Sequence, residues 1–536
     1  MKIIISMITL ACWLFIHSVP LYAQEQTQTI EQVFTQLTAK SFDDKSIAIT
    51  ALANSGHPAT EKILNTILQG DLYYVKKTKA IVVVEKKDGE YQLYDALTND
   101  DLGQVSNRKV KKISINNKLR RQLNLELTTL SLTNADADIR FQAVTELIGV
   151  ASEETTVKLK AIREKEPDAK VIDAIDSVIA IQGLQSNNIT LQLASIKQLE
   201  GNLLPVVLNE LKAMEKIAKN KEVKIAVKKA IKKIESRVTI FGYLETLFFG
   251  LSLGSILALA AIGLAITFGV MGVINMAHGE LIMIGAYTTY VIQLMMPQHI
   301  GVSILIAIPA AFLVSGLVGI IIERSVIRFL YGRPLETLLA TFGISLFLQQ
   351  TVRSIFSPLN RSVITPEWMS GSLQINSLLS VTYNRLYIFI FCLIVFVLLY
   401  LVMKKTSLGL HVRAVSQNRK MARAMGIKSE WVDALTFGLG SGIAGVAGVA
   451  LSQITNVGPN LGQDYIVDSF MVVVFGGVGN LWGTLISGLS LGVVGKFLEP
   501  ETGAVLSKIL VLIFIILFIQ KRPRGLFPQK GRAAES

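Results

Sequence analysis

The residues of this chain best suited to chemistry lie in Phe268–Glu280, FGVMGVINMAHGE, where Asn275, His278 and Glu280 sit among Gly269, Gly272 and Gly279. An amide, an imidazole and a carboxylate at this spacing supply both hydrogen-bond donors and acceptors. The apolar runs on either side, Leu247–Val270 and Leu281–Met296, are long enough, or nearly so, to cross a bilayer. Polar groups at membrane depth are costly and are usually kept there for a purpose. The glycines would let the helix open and expose carbonyls, which is tolerable only beside a cavity. Two readings stay open. In one, Asn275, His278, Glu280, Gln349 and Gln350 face a translocation path for a small polar solute. In the other, Asn275 caps the helix through His278 and Glu280, whose carboxylate suits the helix dipole, and the two glutamines satisfy each other or a neighbouring helix.

Other chemistries lack their residues. A phosphate-cradling loop would read GxxxxGK followed by Ser or Thr, and no such run occurs. Gly440–Gly445 spells GxGxxG inside an apolar span without a preceding strand, so close helix packing through small residues is the better account. The five His and two Cys are scattered and offer no zinc-ligand spacing. No nucleophile-base pair stands out, so the chain reads as a non-enzyme without a metal or a cofactor of its own. His57, before Pro58, reads as a solvated or capping residue.

These residues must be positioned by a membrane domain. Up to about Arg237 the sequence is polar and charged; from Phe241 it is a series of apolar runs separated by short loops. Crossings are expected near 244–268, 279–296, 301–322, 337–352, 386–403, 432–453, 466–479, 483–498 and 504–520. The fold class is therefore all-α, a bundle of about 8–10 spans over residues 241–527. Residues 1–23 read as a signal peptide cleaved after Ala23, which leaves Cys392 as the only thiol and no intramolecular disulfide. Residues 24–237 then form an exported domain of short amphipathic helices, among them Ile139–Val150, Ala169–Ile181, Leu191–Leu199, Leu203–Ile217 and Val223–Ile234. Their succession suggests a HEAT-like stack, with one β-hairpin at Ala80–Glu85 and Tyr91–Tyr94.

The net charge of +13 falls largely in loops between spans, so it argues for topology and against nucleic-acid binding. Basic residues crowd Lys404–Lys428, the turn Arg324–Arg333 and the tail Lys521–Arg524. Nine crossings from an exported N-terminus place all three, and the 528–536 tail, in the cytoplasm. Within the long loop, His411–Ile427 holds an amphipathic helix, a small-residue cluster and a glycine stop. A motor subunit could grip such an element, or it could lie as a basic helix on anionic lipid.

FGVMGVINMAHGELIMIGAY, the RAVSQNRKMARAMGI loop and VDSFMVVVFGGVGNLWGTLISG resemble the LivH-type permeases of ABC importers for branched-chain amino acids and urea. The resemblance covers about residues 241–527. Within that family, NMAHGE at Asn275–Glu280, TFGISLFLQQTVRSIF from Thr341, Pro366–Gly371 and the exported extension resemble the urea permeases. The resemblance implies an inner-membrane importer of urea, or alternatively of branched-chain amino acids. It also implies a second related permease subunit, two ATP-binding subunits that bind the ATP, and a periplasmic solute-binding protein. It makes the loop an ATPase-coupling element through Arg413, Ala414, Ala422, Arg423, Ala424 and Gly426, although the loop lacks the Glu-Ala-Ala of other importers. Without an ATPase the same spans would be a passive channel or secondary carrier, which leaves the coupling loop unexplained. The outer loop Asn456–Asp464 is a candidate contact for the binding protein.

Overall fold

The computed structural model describes residues 33–87, 90–376 and 378–528; the expected leader and nearly all of the expected tail lie outside them. The chain divides into two units, Met1–Glu235 and Ser236–Ser536.

The first unit begins with α1 (Phe42–Asn54) and α2 (Thr60–Gln69). Ser41 starts α1 by accepting a hydrogen bond from the Asp43 amide at 3.2 Å, and Gly70, at φ 86°, ends α2 in the left-handed region. Five antiparallel strands follow: β1 (Leu72–Val75), β2 (Ile81–Lys87), β3 (Glu90–Asp95), β4 (Asp101–Val105) and β5 (Val110–Lys112), in the order β4-β3-β2-β1-β5. The expected hairpin is the β2–β3 pair, with Val84 opposite Leu93, but it belongs to a larger sheet. Val82, Val84, Leu93 and Val110 cluster on one face, while Ile81 and Leu72 join the core of α1, α2 and the helix Asn117–Ser131. The sheet thus buries apolar residues on both faces, as period-two side chains require. The all-α reading is corrected here. Asp101–Val105 is an exposed edge strand with almost no apolar alternation, so its sequence carries no strand signal.

Six helices complete the unit: α3 (Asn117–Ser131), α4 (Ala137–Glu146), α5 (Glu153–Arg163), α6 (Ala169–Leu184), α7 (Ile189–Leu199) and α8 (Pro205–Ile217). Asp136, Asp168 and Asn188 cap α4, α6 and α7 through their side-chain oxygens. His57 accepts the Ala59 amide at Nδ1, 3.1 Å away, which makes it a turn cap.

The long helix α9 (Lys221–Met271) contains the division between the units. It is followed by α10 (His278–Met295), α11 (Ile300–Ser325), α12 (Pro334–Phe356), the short hairpin β6 (Ser372–Gln374) and β7 (Ser380–Thr382), and α13 (Tyr383–Lys405). Then come α14 (Ser407–Gln417), α15 (Arg419–Ala424), α16 (Ser429–Ser452), α17 (Leu461–Gly476), α18 (Leu481–Thr502) and α19 (Ala504–Lys521). Each of the nine expected crossings falls on a helix, but among the described residues six helices are long and apolar enough to span a membrane: α9, α11, α13, α16, α18 and α19. Helices α10, α12 and α17 fall short, being interrupted by polar residues or ending early. The odd count that fixed the orientation therefore does not carry it.

Helix α16 is the centre of this unit, with 89% of its apolar window buried against 17% for α19. Its sequence FGLGSGIAGVAGVALS explains why. Gly440 packs on Gly263 of α9, where an added Cβ would come within 2.6 Å of the Gly263 carbonyl oxygen. Gly445 faces Ala311 and Ser315 of α11, and Gly448 faces Ile282 and Ala286 of α10. In lipid, where apolar burial between helices gives little drive, such close backbone approach supplies the packing. The GxGxxG run is a helix-packing motif.

Candidate functional site

A row of polar residues runs along one side of α12. Thr337, Thr341, Ser345 and Gln349 recur every fourth residue and are all buried, and Arg353 continues the row half-buried. Each member stands one turn and about 40° further round the helix than the last, so neighbours adjoin while the row winds as a strip about 24 Å long. The opposite sides of α12 are apolar and exposed, as at Leu335, Leu339, Phe342 and Phe347.

The row meets the Asn275–Glu280 segment at two levels. The Thr341 hydroxyl accepts the Met276 amide at 3.1 Å. The Ser345 hydroxyl donates to Glu280 Oε1 at 3.0 Å, while Glu280 Oε2 is buried without a hydrogen-bond partner. Farther along, Gln349 Nε2 and Arg353 Nη2 both donate to Asn460 Oδ1, at 3.2 and 2.7 Å. At its end α12 is held by Phe356, whose ring lies 4.7 Å from that of Tyr287 on α10.

This geometry separates residues that the sequence groups together. His278 lies two residues before Glu280, which points the two side chains to different sides of α10. Its Nε2 bonds the Ala260 carbonyl of α9 at 2.9 Å, and it packs against Gly263. That is a helix-to-helix strut rather than a member of the α12 row. Asn275 accepts the Ala277 amide at 3.0 Å in a turn ahead of α10, but the N-cap residue is Ala277 and no side chain caps the helix, so the expected Asn275 cap is not formed; Asn275 Nδ2 is buried and unpartnered. Gln349 is in the row but Gln350 is exposed on another side of α12, so the two glutamines do not pair. Thr341 and Ser345 were missed because each is an ordinary polar residue alone, and Asn460 was expected in an outer contact loop rather than against α12. The signal was their spacing, Thr-x3-Thr-x3-Ser-x3-Gln within an apolar helix.

The outer loop is less free than expected. Val457 pairs with Arg361 through backbone bonds of 2.7 and 2.8 Å, and Val457, Gly458 and Pro459 are buried, leaving Asn460 exposed.

The basic loop folds as two helices. Asn418 breaks α14 and caps α15 by accepting the Met421 amide at 3.0 Å. Gly426, at φ 87°, ends α15, with its amide on the Arg423 carbonyl and that of Ile427 on the Ala422 carbonyl. Of the expected contact residues, Arg413, Arg423, Ala424 and Gly426 are exposed, Ala414 is half-buried, and Ala422 is buried against Val412, Val415 and Val432. Ala422 is therefore packing and not contact surface. The exposed apolar tips are Met421 and Met425, one helical turn apart and 60% and 77% accessible.

The loop is tied to the packed core by charge. Arg419 Nη2 lies 2.6 Å from Asp433 Oδ1 on α16, and its guanidinium stands 3.9 Å from the ring centroid of Tyr331. Tyr331 itself donates to Asp433 at 3.3 Å. Burial, and then the Asp433 carboxylate, push the Tyr331 phenol up, so it stays a donor. Arg423 Nε donates to Ser429 at the start of α16, at 2.6 Å. Arg324 stacks over Trp431, 4.5 Å from its centroid, and adds the end of α11 to the same junction.

Comparison with known proteins follows this geometry. The family described as "Branched-chain amino acid transport system / permease component" matches residues 246–519, just over half of the chain and all within the second unit. The chain belongs to this family. Among its relatives, the high-affinity branched-chain amino acid permease BraD of Pseudomonas aeruginosa is 32% identical over 296 residues, 54% of this chain and 96% of the relative. LivH of Escherichia coli K12 is 32% identical over 292 residues, 51% of this chain and 94% of the relative. The ribose import permease RbsC of Bacillus subtilis matches over a shorter stretch, 32% identical over 111 residues. No solved structure matches. As a member of a family of transport permeases, the chain is a membrane transport component and not an enzyme. The six spans of this permease, the α12 row and the anchored loop all lie within or beside the matched region.

Proposed function

We propose that this permease forms one wall of the translocation path of an ATP-driven importer in the bacterial inner membrane, and that it carries branched-chain amino acids. The observation that supports the reading is the buried polar row of α12 with Glu280, on a helix whose other positions are mainly apolar. Family membership supports the substrate. A zwitterion has an ammonium for Glu280 and a carboxylate for Arg353. These two side chains lie at different depths, since Ser345 and Arg353 are about 12 Å apart along the helix. An amino acid too short to bridge them would meet them in turn.

The partners follow from the chemistry that the chain lacks. ATP binds to two partner subunits, a second related permease completes the path, and a periplasmic binding protein delivers the solute. Loop helices α14 and α15 face the cytoplasm by the positive-inside rule. There Met421 and Met425 enter a partner ATPase while Arg419–Asp433 and Arg423–Ser429 carry its movement to α16. The first unit is an exported domain.

Urea is a second reading, favoured by the first unit. That unit falls outside the family match, and an extension of this kind is a point of resemblance to urea permeases. The row of hydroxyl and amide groups also suits a neutral planar solute with four N–H donors. Uptake of labelled leucine and labelled urea, in cells lacking only this gene and in the complemented strain, separates the two. Loss and rescue of leucine uptake alone supports the first reading, and of urea uptake alone the second. Both substrates unaffected would overturn both.

A further inference from the structure

A cavity of about 1490 Å³ opens in the second unit between α9, the end of α13, the loop helix α14, the start of α18 and the segment after α19. Its lining has two characters. Ile266, Met403 and Val474 form apolar wall, and Lys404, Arg413 and Arg524 bring three cations from three separate stretches of chain. No Asp or Glu is among the lining residues. Where these cations have partners, the partners are neutral. Arg413 donates to the Met403 carbonyl, and Lys404 Nζ lies 3.1 Å from the Tyr400 hydroxyl and 5.3 Å from that ring's centroid. The Trp482 ring stacks edge-on to Tyr400 at 5.9 Å and is half exposed. Lys404 closes one apolar span and Arg524 follows another, so the cations stand where the apolar helices end.

We propose that this cavity is a binding site for the headgroup of an anionic phospholipid. Three cations lining one cavity without a carboxylate match a phosphodiester. The apolar wall and the Tyr400–Trp482 pair match what lies immediately beneath such a headgroup, since aromatic side chains favour the membrane–water boundary. A free phosphate would use the cations but leave the apolar wall facing water, which argues for a lipid. Occupancy would bridge α13, α14 and the chain after α19, and so brace the base of the loop. The inference does not depend on which solute the permease carries.

The test uses the transporter assembled with its ATPase subunits in uncharged detergent. It is titrated with dihexanoyl-phosphatidylglycerol, dihexanoyl-phosphatidylcholine and inorganic phosphate, following binding by native mass spectrometry and the melting temperature. The glycerol lipid should bind at least tenfold more tightly than the choline lipid, with phosphate weaker still. Each cation removed should weaken it about fivefold, as expected for a basic residue at an anionic surface. The triple variant Lys404→Gln, Arg413→Gln, Arg524→Gln should bind both lipids alike. If the triple variant does not fold, Arg524→Gln alone gives the fivefold test, with Arg524→Lys restoring affinity. Equal binding of the two lipids, equal stabilisation by phosphate, or unchanged selectivity in the variants would overturn the proposal. So would glycerol-lipid binding by the isolated chain that disappears on assembly, which would assign the cavity to the ATPase.

Discussion

Helices α16 and α12 solve opposite problems in the same membrane. Helix α16 is built of glycine and alanine and is closed on every side by backbone of α9, α10 and α11. Helix α12 is built of leucine, phenylalanine and a single polar row, and is bonded to the rest of the unit mainly through that row and its last turn. Small residues produce contact that leaves no alternative packing, whereas a row of hydroxyls produces contacts that can be exchanged for others. The difference assigns the two helices their parts. Under the proposed function, α16 would be the frame and α12 a wall able to change partners.

The comparison breaks most readily at the glycines. Gly445→Leu should abolish folded protein, because its side chain would enter the Ala311–Ser315 backbone of α11. Gly343→Leu, on α12 where an added Cβ meets nothing within 4 Å, should leave the yield near normal. Size-exclusion profiles of the two variants in detergent check this; equal yields would remove the distinction.

A smaller but still large effect is expected at the junction. Arg419→Ala leaves the buried Asp433 without its cation, at a cost of about 3 kcal/mol. Transport should fall more than melting temperature alone accounts for, since the loop loses its tie to the frame. Measuring ATP hydrolysis and solute uptake together would show it, as hydrolysis persisting with uptake lost.

On the wall itself, Ser345→Ala removes the one hydrogen bond to Glu280, an effect of about 1–3 kcal/mol on whichever state uses it. Uptake should drop roughly tenfold while the Gly445-dependent core still folds. Gln350→Ala, which alters an exposed residue beside the row, should change uptake little. Equal losses at Ser345 and Gln350 would argue against the row.

The smallest effect lies in the first unit. Hydrogen bonds from Arg140, 2.6 Å from Glu166, hold the Glu166 carboxyl below the usual range, against the opposing effect of burial. A folded value below the unfolded one means that this stabilisation is complete above the ordinary carboxyl range. It is lost as pH falls through the depressed folded value. Amide-exchange protection in the full chain near Asp168, taken relative to the intrinsic rate at each pH, should therefore fall in acid, and Glu166→Gln should remove that fall.

Much of the frame was legible in the sequence and much of the wall was not. Apolar length located each helix expected as a crossing, and Gly-x-Gly-x-x-Gly announced close packing at Gly440–Gly445. Local rules led to a cap at Asn275, whereas its side chain closes the turn ahead of the helix instead. The α12 row did not stand out, because Thr and Ser in a membrane helix can satisfy themselves on their own backbone, and only burial shows which of them face a neighbour. His278 and Glu280 were grouped because they are close in sequence, but two residues on a helix face different sides. In the first unit, the β2–β3 hairpin showed in its alternation, whereas β4 and β5 are short edge strands whose pairing is set by their neighbours.

The four-residue spacing of the α12 row sets a step length. Successive rungs stand about 6 Å apart along the axis, close to the reach of a small solute with polar groups at both ends. A molecule moving along such a ladder can grip the next rung before it releases the last. Its passage then becomes a series of short hops of similar cost, with no single deep well in which to be trapped.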